Sequence, residues 1–340
     1  MADAATAELI VVVDGSGLES LEWLEALARS RPRVHAVPIP SARGAGDWAR
    51  DSGAKLARED LVVFLDDDVV PEPGLVSGHA AWHETGTRRI VMGYMPIPPG
   101  PIRRPDDLPP VLYQQGYEDS CLSYESDPAN ILVGFWAGNF SMRRDDALCI
   151  GLGDPAYRGL QHGDRDFGLR CRLAGVEPVF DRSLRASHHY RRGYAEFAAE
   201  SGRRGASRLH IHIRHEDAVG GLSLEAYEEG LGRVAKRLLR LTRRPRARGL
   251  SRVGLPKAAA CALAAGRRGL AVRIAKLTRS VEQQYGTLAA ARSLQWPASV
   301  EPVPSDGRGW VRTSDLSRVS WAEEEAQSRV SPAIHFLRLP

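Results

Sequence analysis

The sequence predicts an α/β fold: a mostly parallel sheet flanked by helices, followed by a C-terminal helical extension. Short apolar runs at residues 8–13, 61–65 and 89–95 alternate with segments whose apolar residues recur at helical spacing. These runs contain few polar residues, which is typical of strands buried on both faces. From Tyr194 onward the apolar pattern is mainly helical. Together these observations favour an open sheet with a helical addition.

The predicted elements follow one another with short connections. The first strand ends at Asp14, and the helix after it carries Leu18, Leu21, Leu24 and Leu27 on one face. Strands are predicted at 8–13, 33–37, 61–65, 89–95, 131–136 and 176–180. Helices are predicted at 47–57, 74–84, 164–174 and 316–330. Gly175 is expected to be the residue that follows the last turn of the helix at 164–174. Residues 96–110, with seven prolines, and 295–310 are predicted connectors.

Composition places the chain among globular proteins. Of 340 residues, 43% are hydrophobic and 26% charged, which is ordinary for a globular domain. No apolar run reaches about 18 residues, so no membrane-spanning helix is expected, and residues 1–7 lack the pattern of a signal peptide. The scattered cysteines form no CxxC pair and indicate reduced thiols in a cytoplasmic protein. They are Cys121, Cys149, Cys171 and Cys261.

The charge distribution is uneven. Residues 230–281 contain 15 Lys and Arg but no Asp or Glu, whereas the whole chain carries only +4. An acid-free helical stretch of this kind leaves open a contact with an anionic acceptor or with lipid headgroups. Nucleic-acid binding is not expected, because no interleaved aromatics or known nucleic-acid motif accompany the charge.

Three consecutive aspartates, Asp66, Asp67 and Asp68, follow the apolar strand at 61–65. Their carboxylates repel one another and lose solvation there, and a divalent cation is the usual compensation. In open α/β sheets the carboxyl ends of strands are where ligands bind. The run therefore predicts a metal-dependent site that holds phosphate.

Six short motifs occur along the chain in one order, and their order and spacing are more specific than any one of them. They lie at 10–16 (IVVVDGS), 49–53 (ARDSG), 64–68 (FLDDD), 138–144 (GNFSMRR), 163–170 (GDRDFGLR) and 187–190 (SHHY). In this order they resemble glycosyltransferase family 2, over roughly residues 8–205.

The resemblance implies a GT-A fold and transfer of a sugar, of hexosyltransferase type, from a nucleoside-diphosphate donor to an acceptor hydroxyl, with inversion as the family's tendency. It implies that Asp68, with Asp66, holds Mn²⁺ or Mg²⁺, and that Asp164 is the general base. His188 or His189 would complete the metal shell, and at most one of them is expected to reach it, because neighbouring residues on an extended chain face opposite sides.

Further donor contacts are implied for the residues that match the family's motifs. These are Asp14, Arg50, Asp66, Asp67, Trp136, Gly138, Asn139 and Asp166. For several of them the alternative role is helix capping, a surface ion pair or core packing. For Asp166 the alternative is a structural role. The histidines at 210, 212 and 215 are predicted to be solvated, because no acidic partner stands at metal-ligand spacing. The catalytic domain is predicted to span 1–205, with an acceptor-side loop at 93–130, and a basic helical region to span 206–340.

Two departures from the family pattern leave alternatives open. No P-x-Y-N turn precedes the first strand, so either the true start lies upstream or the base is held differently. The glutamate of the family's E-D pair is Gly163 here. A sugar-phosphate nucleotidyltransferase and a non-catalytic relative that binds a partner are therefore kept as alternatives. A small-molecule or saccharide acceptor is expected, and a homo-oligomer is possible.

Overall fold

A computed structural model describes residues 7–14, 18–39, 46–154 and 161–293. The N-terminal part of the chain holds all the strands of this described portion, in two sheets. The strands are β1 Leu9–Asp14, β2 Val34–Ile39, β3 Leu61–Leu65, β4 Val69–Pro71, β5 Arg89–Tyr94, β6 Asn139–Arg143 and β7 Glu177–His188.

Helices cover the sheets and build the C-terminal part. They are α1 Leu18–Ser30, α2 Gly46–Leu56, α3 Leu75–Ala81, α4 Leu108–Ser126, α5 Ala129–Val133, α6 Arg144–Ile150, α7 Gly163–Leu173, α8 Tyr194–Arg214, α9 Glu216–Val219, α10 Arg233–Leu241, α11 Pro245–Ala264 and α12 Arg268–Ser293. The predicted α/β class and the helical extension are confirmed. The connector at 295–310 and the helix at 316–330 lie outside the described residues.

The sheet contains more antiparallel strand pairs than the mostly parallel sheet that the sequence predicted. β1 and β2 pair in parallel, and the second sheet has the order β3-β6-β5-β7-β4. In it β5 and β7 are parallel, while β6 runs antiparallel to both neighbours and β4 antiparallel to β7. The chain reaches β6 through α4 and α5 and enters the sheet from the opposite end. This brings the carboxyl end of β3 beside the start of β6, where Leu65 faces Asn139.

Aromatic side chains fill the core beneath this junction. Phe64 and Phe140 are cross-strand partners, and their rings stack with centroids 4.6 Å apart. Phe135 and Phe167 pack against Phe140, which ties α7 to the sheet. Burial of such rings is the main stabilising contribution here, because each removes a large apolar area from water.

The predicted strand at 131–136 is wrong. Ala129–Val133 form the short helix α5 instead, and the Asp127 carboxylate accepts a hydrogen bond from the backbone N–H of Ala129 at 2.9 Å. An apolar run of this length fits a buried strand or a buried helix equally well, so periodicity could not decide. The run is buried either way, since Ile131 and Leu132 lie in the core.

The proline-rich stretch is irregular only over its first part. A 3-10 helix covers Pro105–Asp107 and α4 begins at Leu108, with prolines in its first turn, where their missing N–H costs nothing. The predicted acceptor-side loop at 93–130 therefore contains the 19-residue helix α4.

The helical region packs through two long helices in close backbone contact. A side chain at Gly205 of α8 would overlap the backbone of Gln283, and one at Gly286 of α12 the backbone of Gly202. Glycine at these positions lets α8 and α12 approach closely. The predicted boundary after Gly205 lies inside α8, which is continuous from Tyr194 to Arg214. No helix within the described ranges is long and apolar enough to cross a membrane.

Candidate functional site

The first acid of the triple-aspartate run is fixed by its neighbours. The Asp66 backbone N–H donates to the Gly138 carbonyl oxygen at 3.1 Å, just past the end of β3. The Asp66 carboxylate forms an ion pair with Arg50, which α2 presents from the opposite side. A side chain at Gly138 would overlap the sulfur of Met95, so the Met95 side chain would have to shift to accommodate it. The structure thus brings three predicted residues, Arg50, Asp66 and Gly138, together.

Asp68 lies against a histidine of the last strand. The pairing of β4 with β7 sets Val69 opposite His188, and His188 Nε2 stands 3.2 Å from Asp68 Oδ1. Burial alone would raise the pKa of Asp68, but the hydrogen bond and charge of His188, with the charge of Arg192, hold it below its ordinary value. Asp68 is therefore kept ionised at neutral pH.

The two neighbouring histidines separate as predicted. The His188 side chain is buried, and its Nδ1 has no hydrogen-bond partner among the described residues. The His189 side chain is exposed, while its backbone N–H donates to the Asp68 carbonyl oxygen at 2.7 Å. Only His188 is thus placed beside the carboxylate, and His189 orders the turn through its backbone.

The Asp68–His188 pair offers one oxygen and one nitrogen ligand. Within the described ranges no group of three or more His, Cys, Asp or Glu side chains is arranged to hold a metal ion. Mg²⁺ and related ions in phosphate-transfer sites are often held by one or two protein ligands, with substrate phosphates and water completing the shell. An ionised carboxylate beside an imidazole fits a divalent cation of that kind. Asp67, also implied in donor binding, is partly exposed in the same turn.

Asp14 ends β1 with a buried carboxylate. Its Oδ1 has no hydrogen-bond partner in the described portion of the chain, and burial raises the pKa of the carboxyl. A buried acceptor without a donor is costly, so a ligand that donates hydrogen bonds would compensate it. This fits the implied donor contact of Asp14; the adjoining residues 15–17 lie outside the described ranges.

Asp164 opens α7 and is partly exposed. Its Oδ1 accepts a hydrogen bond from the Arg165 backbone N–H at 2.8 Å. Burial raises the pKa of its carboxyl, against the lowering charges of Arg50 and Arg204 and with a raising contribution from Asp66. A carboxylate with a raised pKa accepts a proton more readily at neutral pH, which suits a general base.

The residue before α7 was missed by the sequence reasoning. His162 adopts a left-handed backbone conformation with φ 67°, which is uncommon for a residue other than glycine. Burial, with the charges of Arg204, Arg165 and Arg208, holds its pKa well below the ordinary value, so the ring is neutral at pH 7. Such backbone strain clusters at functional sites, and here it sits two residues from Asp164.

The donor contact implied for Asp166 is corrected here, because the structure supports the alternative, structural role of this residue. Its carboxylate is fully buried and receives Arg170 Nε at 2.8 Å and His215 Nε2 at 2.7 Å. Both oxygens of Asp166 therefore have partners. Residues 164 and 166 point to different sides of α7, so Asp164 does not share them. The predicted solvation of the 210–215 histidines is also wrong for two of them: His215 is buried on Asp166, and the buried His212 lies 2.7 Å from the Gly220 carbonyl oxygen through Nδ1.

The donor contact implied for Asn139 is also corrected here. Asn139 is fully buried and takes part in a hydrogen-bonded chain beneath the sheet rather than facing a donor. Its Nδ2 donates to the Leu184 carbonyl oxygen at 3.1 Å and its Oδ1 lies 3.0 Å from His79 Nε2. His79 Nδ1 and His83 Nε2 both contact Ser141 Oγ, at 2.8 and 2.9 Å. Burial lowers the pKa of each histidine to about 4.

Aromatic rings line one side of the Asp68–His188 pair. Tyr113 of α4 lies with its ring centroid 5.0 Å from that of His188, 4.9 Å from that of Trp136 and 4.5 Å from that of Tyr190. Trp136 is partly buried in this group, consistent with either sugar stacking or packing. Tyr113 was not predicted, because a helical tyrosine 45 residues from the aspartates carries no local signal. Tyr190 lies in the motif at 187–190 but was given no role.

Behind this aromatic group lies a small cavity of about 20 Å³ between α4, α8 and α12. Tyr113, Tyr190, Glu200, Arg204 and Arg279 contribute to its lining. Glu200 pairs with Arg204 at 2.7 Å. The charge of Arg204 lowers the pKa of both Tyr113 and Asp164, so this lining residue acts electrostatically on the candidate base.

Comparison with known proteins gives one family and one solved structure. Residues 3–146 match the family model described as "Glycosyl transferase family 2". A mannosyltransferase, PcManGT, from Pyrobaculum calidifontis, in complex with GDP-Man and Mn²⁺, is similar in structure, with a TM-score of 0.45 and 15% identity. The similarity covers 82% of this chain and 77% of that one. No curated protein matches the sequence.

The matched stretch contains four of the six motifs and ends before α7 and the histidine pair. It includes α2, the aspartate run and the start of β6, which together build the Arg50–Asp66–Gly138 arrangement. This match agrees with the predicted GT-A type of α/β fold and supports glycosyl transfer as the general activity. Over residues 3–146 this chain is similar to glycosyltransferase family 2.

Proposed function

We propose that this protein is a metal-dependent, inverting glycosyltransferase that moves a hexosyl group from a nucleoside-diphosphate donor to an acceptor hydroxyl. The main support is the Asp68–His188 pair, in which an ionised carboxylate lies beside a buried imidazole just past the carboxyl end of β3, at the edge of the sheet where Asp66 also lies. That edge is the usual ligand side of such sheets. We take Mn²⁺ or Mg²⁺ as the cation.

In this proposal Asp68 and His188 would hold the cation, and Asp66, which pairs with Arg50 through one oxygen, would be a further ligand. When bound, the cation would offset the negative charge that develops on the diphosphate as the bond to the sugar breaks. Arg50 limits the repulsion between Asp66 and Asp68. Asp14 would accept hydrogen bonds from the nucleoside through its unpartnered oxygen.

Asp164 takes the proton in this reaction. The acceptor oxygen forms a bond to the anomeric carbon on the side opposite the diphosphate, the glycosidic bond to the diphosphate breaks with its electron pair, and the hydroxyl proton moves to the Asp164 carboxylate. A single displacement of this kind inverts the anomeric centre. The charge of Arg204 acts on both Asp164 and Tyr113, whose pKa values it lowers. The acceptor would therefore enter beside Tyr113.

The test is thermal unfolding with nucleoside diphosphates, each with and without Mn²⁺. We expect one nucleotide to raise the melting temperature only when Mn²⁺ is present. Asp68→Ala should abolish that shift and release of nucleoside diphosphate from the donor. Asp145→Ala is the matched control, since its side chain is exposed on α6. An unchanged Mn²⁺-dependent shift in Asp68→Ala would contradict the proposed cation site.

A further inference from the structure

Exposed apolar side chains are concentrated on two consecutive helices of the basic region. Eleven large apolar residues are exposed in the described portion of the chain, and six of them lie between Val234 and Leu270. Val234 is 73% exposed and Leu250 76%. Scattered exposed leucines need no explanation, but such a concentration indicates a surface that is covered in use.

The residues form rows rather than a random scatter. On α10, Val234, Leu238 and Leu241 are spaced by four and three positions and lie on one face of the helix. Leu239, on another face, is the residue by which α10 is anchored in the core. Three residues separate α10 from α11, where Leu250 and Val253 are again exposed. We call these five side chains the apolar rows.

The charge around the apolar rows is positive and largely unneutralised. Of the 15 basic residues at 230–281, four pair with two buried acids that flank the stretch: Arg240 and Arg243 with Glu228, and Arg248 and Arg252 with Glu282. The remaining eleven have no ion pair within the described ranges. Those beside the apolar rows include Arg233, Lys236, Arg237, Arg244 and Arg246.

We propose that the apolar rows of α10 and α11, with their surrounding Arg and Lys, dock this protein onto an anionic lipid surface. The apolar side chains would enter the headgroup–acyl boundary while the basic side chains contact lipid phosphates. A second copy of the chain would bring like charge to the same face. Nucleic acid would satisfy the cations but leave the apolar rows in water.

The test is cosedimentation of the full chain with vesicles of phosphatidylcholine, alone or mixed with phosphatidylglycerol. We expect binding to the mixed vesicles, weakened by high salt, and little binding to phosphatidylcholine alone. Leu238→Asp combined with Leu241→Asp should weaken binding by about tenfold or more, because two apolar anchors are lost. Leu250→Asp with Val253→Asp should act the same way on α11.

Leu122→Asp with Leu173→Asp is the matched control, since both leucines are exposed away from this region and the change in charge is equal. The control should bind like the parent protein. Absence of binding to anionic vesicles, or equal loss in the control and in the α10 and α11 variants, would overturn the proposal. Each variant is also tested for the Mn²⁺-dependent nucleotide shift, which reports the proposed function separately and should persist.

Discussion

The sheet region, residues 9–188, and the helical region, residues 194–293, both bury acids but leave them in different states. In the helical region each of these buried acids is hydrogen-bonded to arginine. Arg240 donates to both oxygens of Glu228 at 2.7 Å, and Arg248 and Arg252 each donate to Glu282 at 2.9 Å. In the sheet region one oxygen of Asp14 has no partner among the described residues, and burial raises the pKa of Asp164. Fully paired acids stabilise a fold, whereas under-paired acids remain available to a ligand or a proton.

The same contrast recurs within α7. Asp164 and Asp166 are two residues apart, yet one is partly exposed near the site and the other is fully buried between Arg170 and His215. Their roles are set by the direction in which each side chain leaves the helix. This allows the comparison to be tested with single substitutions that change activity in one case and stability in the other.

The largest expected effect is on catalysis in the sheet region. Asp164→Asn removes the proton acceptor while keeping its shape, so transfer to an acceptor, or release of nucleoside diphosphate from the donor, should fall by about 10²–10⁴-fold. The Mn²⁺-dependent nucleotide shift should be retained, because the cation ligands are untouched. Near-normal turnover in this variant would remove Asp164 from the proposed role.

In the helical region we expect a loss of stability with no loss of donor binding. Glu282→Gln leaves Arg248 and Arg252 without their acid and should lower the free energy of unfolding by about 3 kcal/mol, measured by urea denaturation. Glu196→Gln is the control: Glu196 pairs with Arg192 at the surface, where loss of an ion pair costs about 1 kcal/mol or less. Equal effects in the two variants would contradict the distinction between the regions.

Buried histidines should make stability depend on pH in both regions, since burial also lowers the pKa of His212 in α8 to about 4. His79 and His83 represent the sheet region. The pKa of His79 and of His83 is about 4 in the fold, below the model-peptide value of 6.5. The unfolded chain therefore binds more protons between these values, and stability falls as pH drops from 6.5 towards 4.

Between pH 7 and pH 5 each imidazole should remove about 2 kcal/mol of unfolding free energy. Urea denaturation at the two pH values measures this, and His83→Gln should flatten the dependence. An unfolding free energy that is the same at pH 5 and pH 7 would show that these histidines are not held neutral.

A further effect on stability is expected at the backbone contact of α8 with α12. Gly286→Ala puts a methyl group onto the backbone of Gly202, and we expect a loss of about 1–3 kcal/mol from forced separation of the helices. Gly249→Ala on α11 has open space and should be neutral or stabilising by about 0.5–1 kcal/mol. Thermal unfolding of both variants gives the comparison, and a neutral Gly286→Ala would argue against close packing there.

Local patterns predicted most of the elements. The strands at 61–65 and 89–95 and the helices α2, α3 and α7 occur where expected, and Gly175 takes the left-handed conformation after α7. The failure at 131–136 has a local reason too, since a short apolar run has no distinctive period. The four cysteines are unpaired, as expected from their scatter.

By itself the sequence determined the α/β order, the position of the aspartate run at a strand end and the excess of positive charge after Gly230, because each of these depends on neighbouring residues. Only the tertiary structure decided which polar side chains are available. Asn139, Asp166 and His215 match functional patterns but are buried in hydrogen-bonded pairs, while Tyr113 and Arg204 come to the site from distant helices. Availability depends on contacts between segments far apart in the chain, and no local pattern records those contacts.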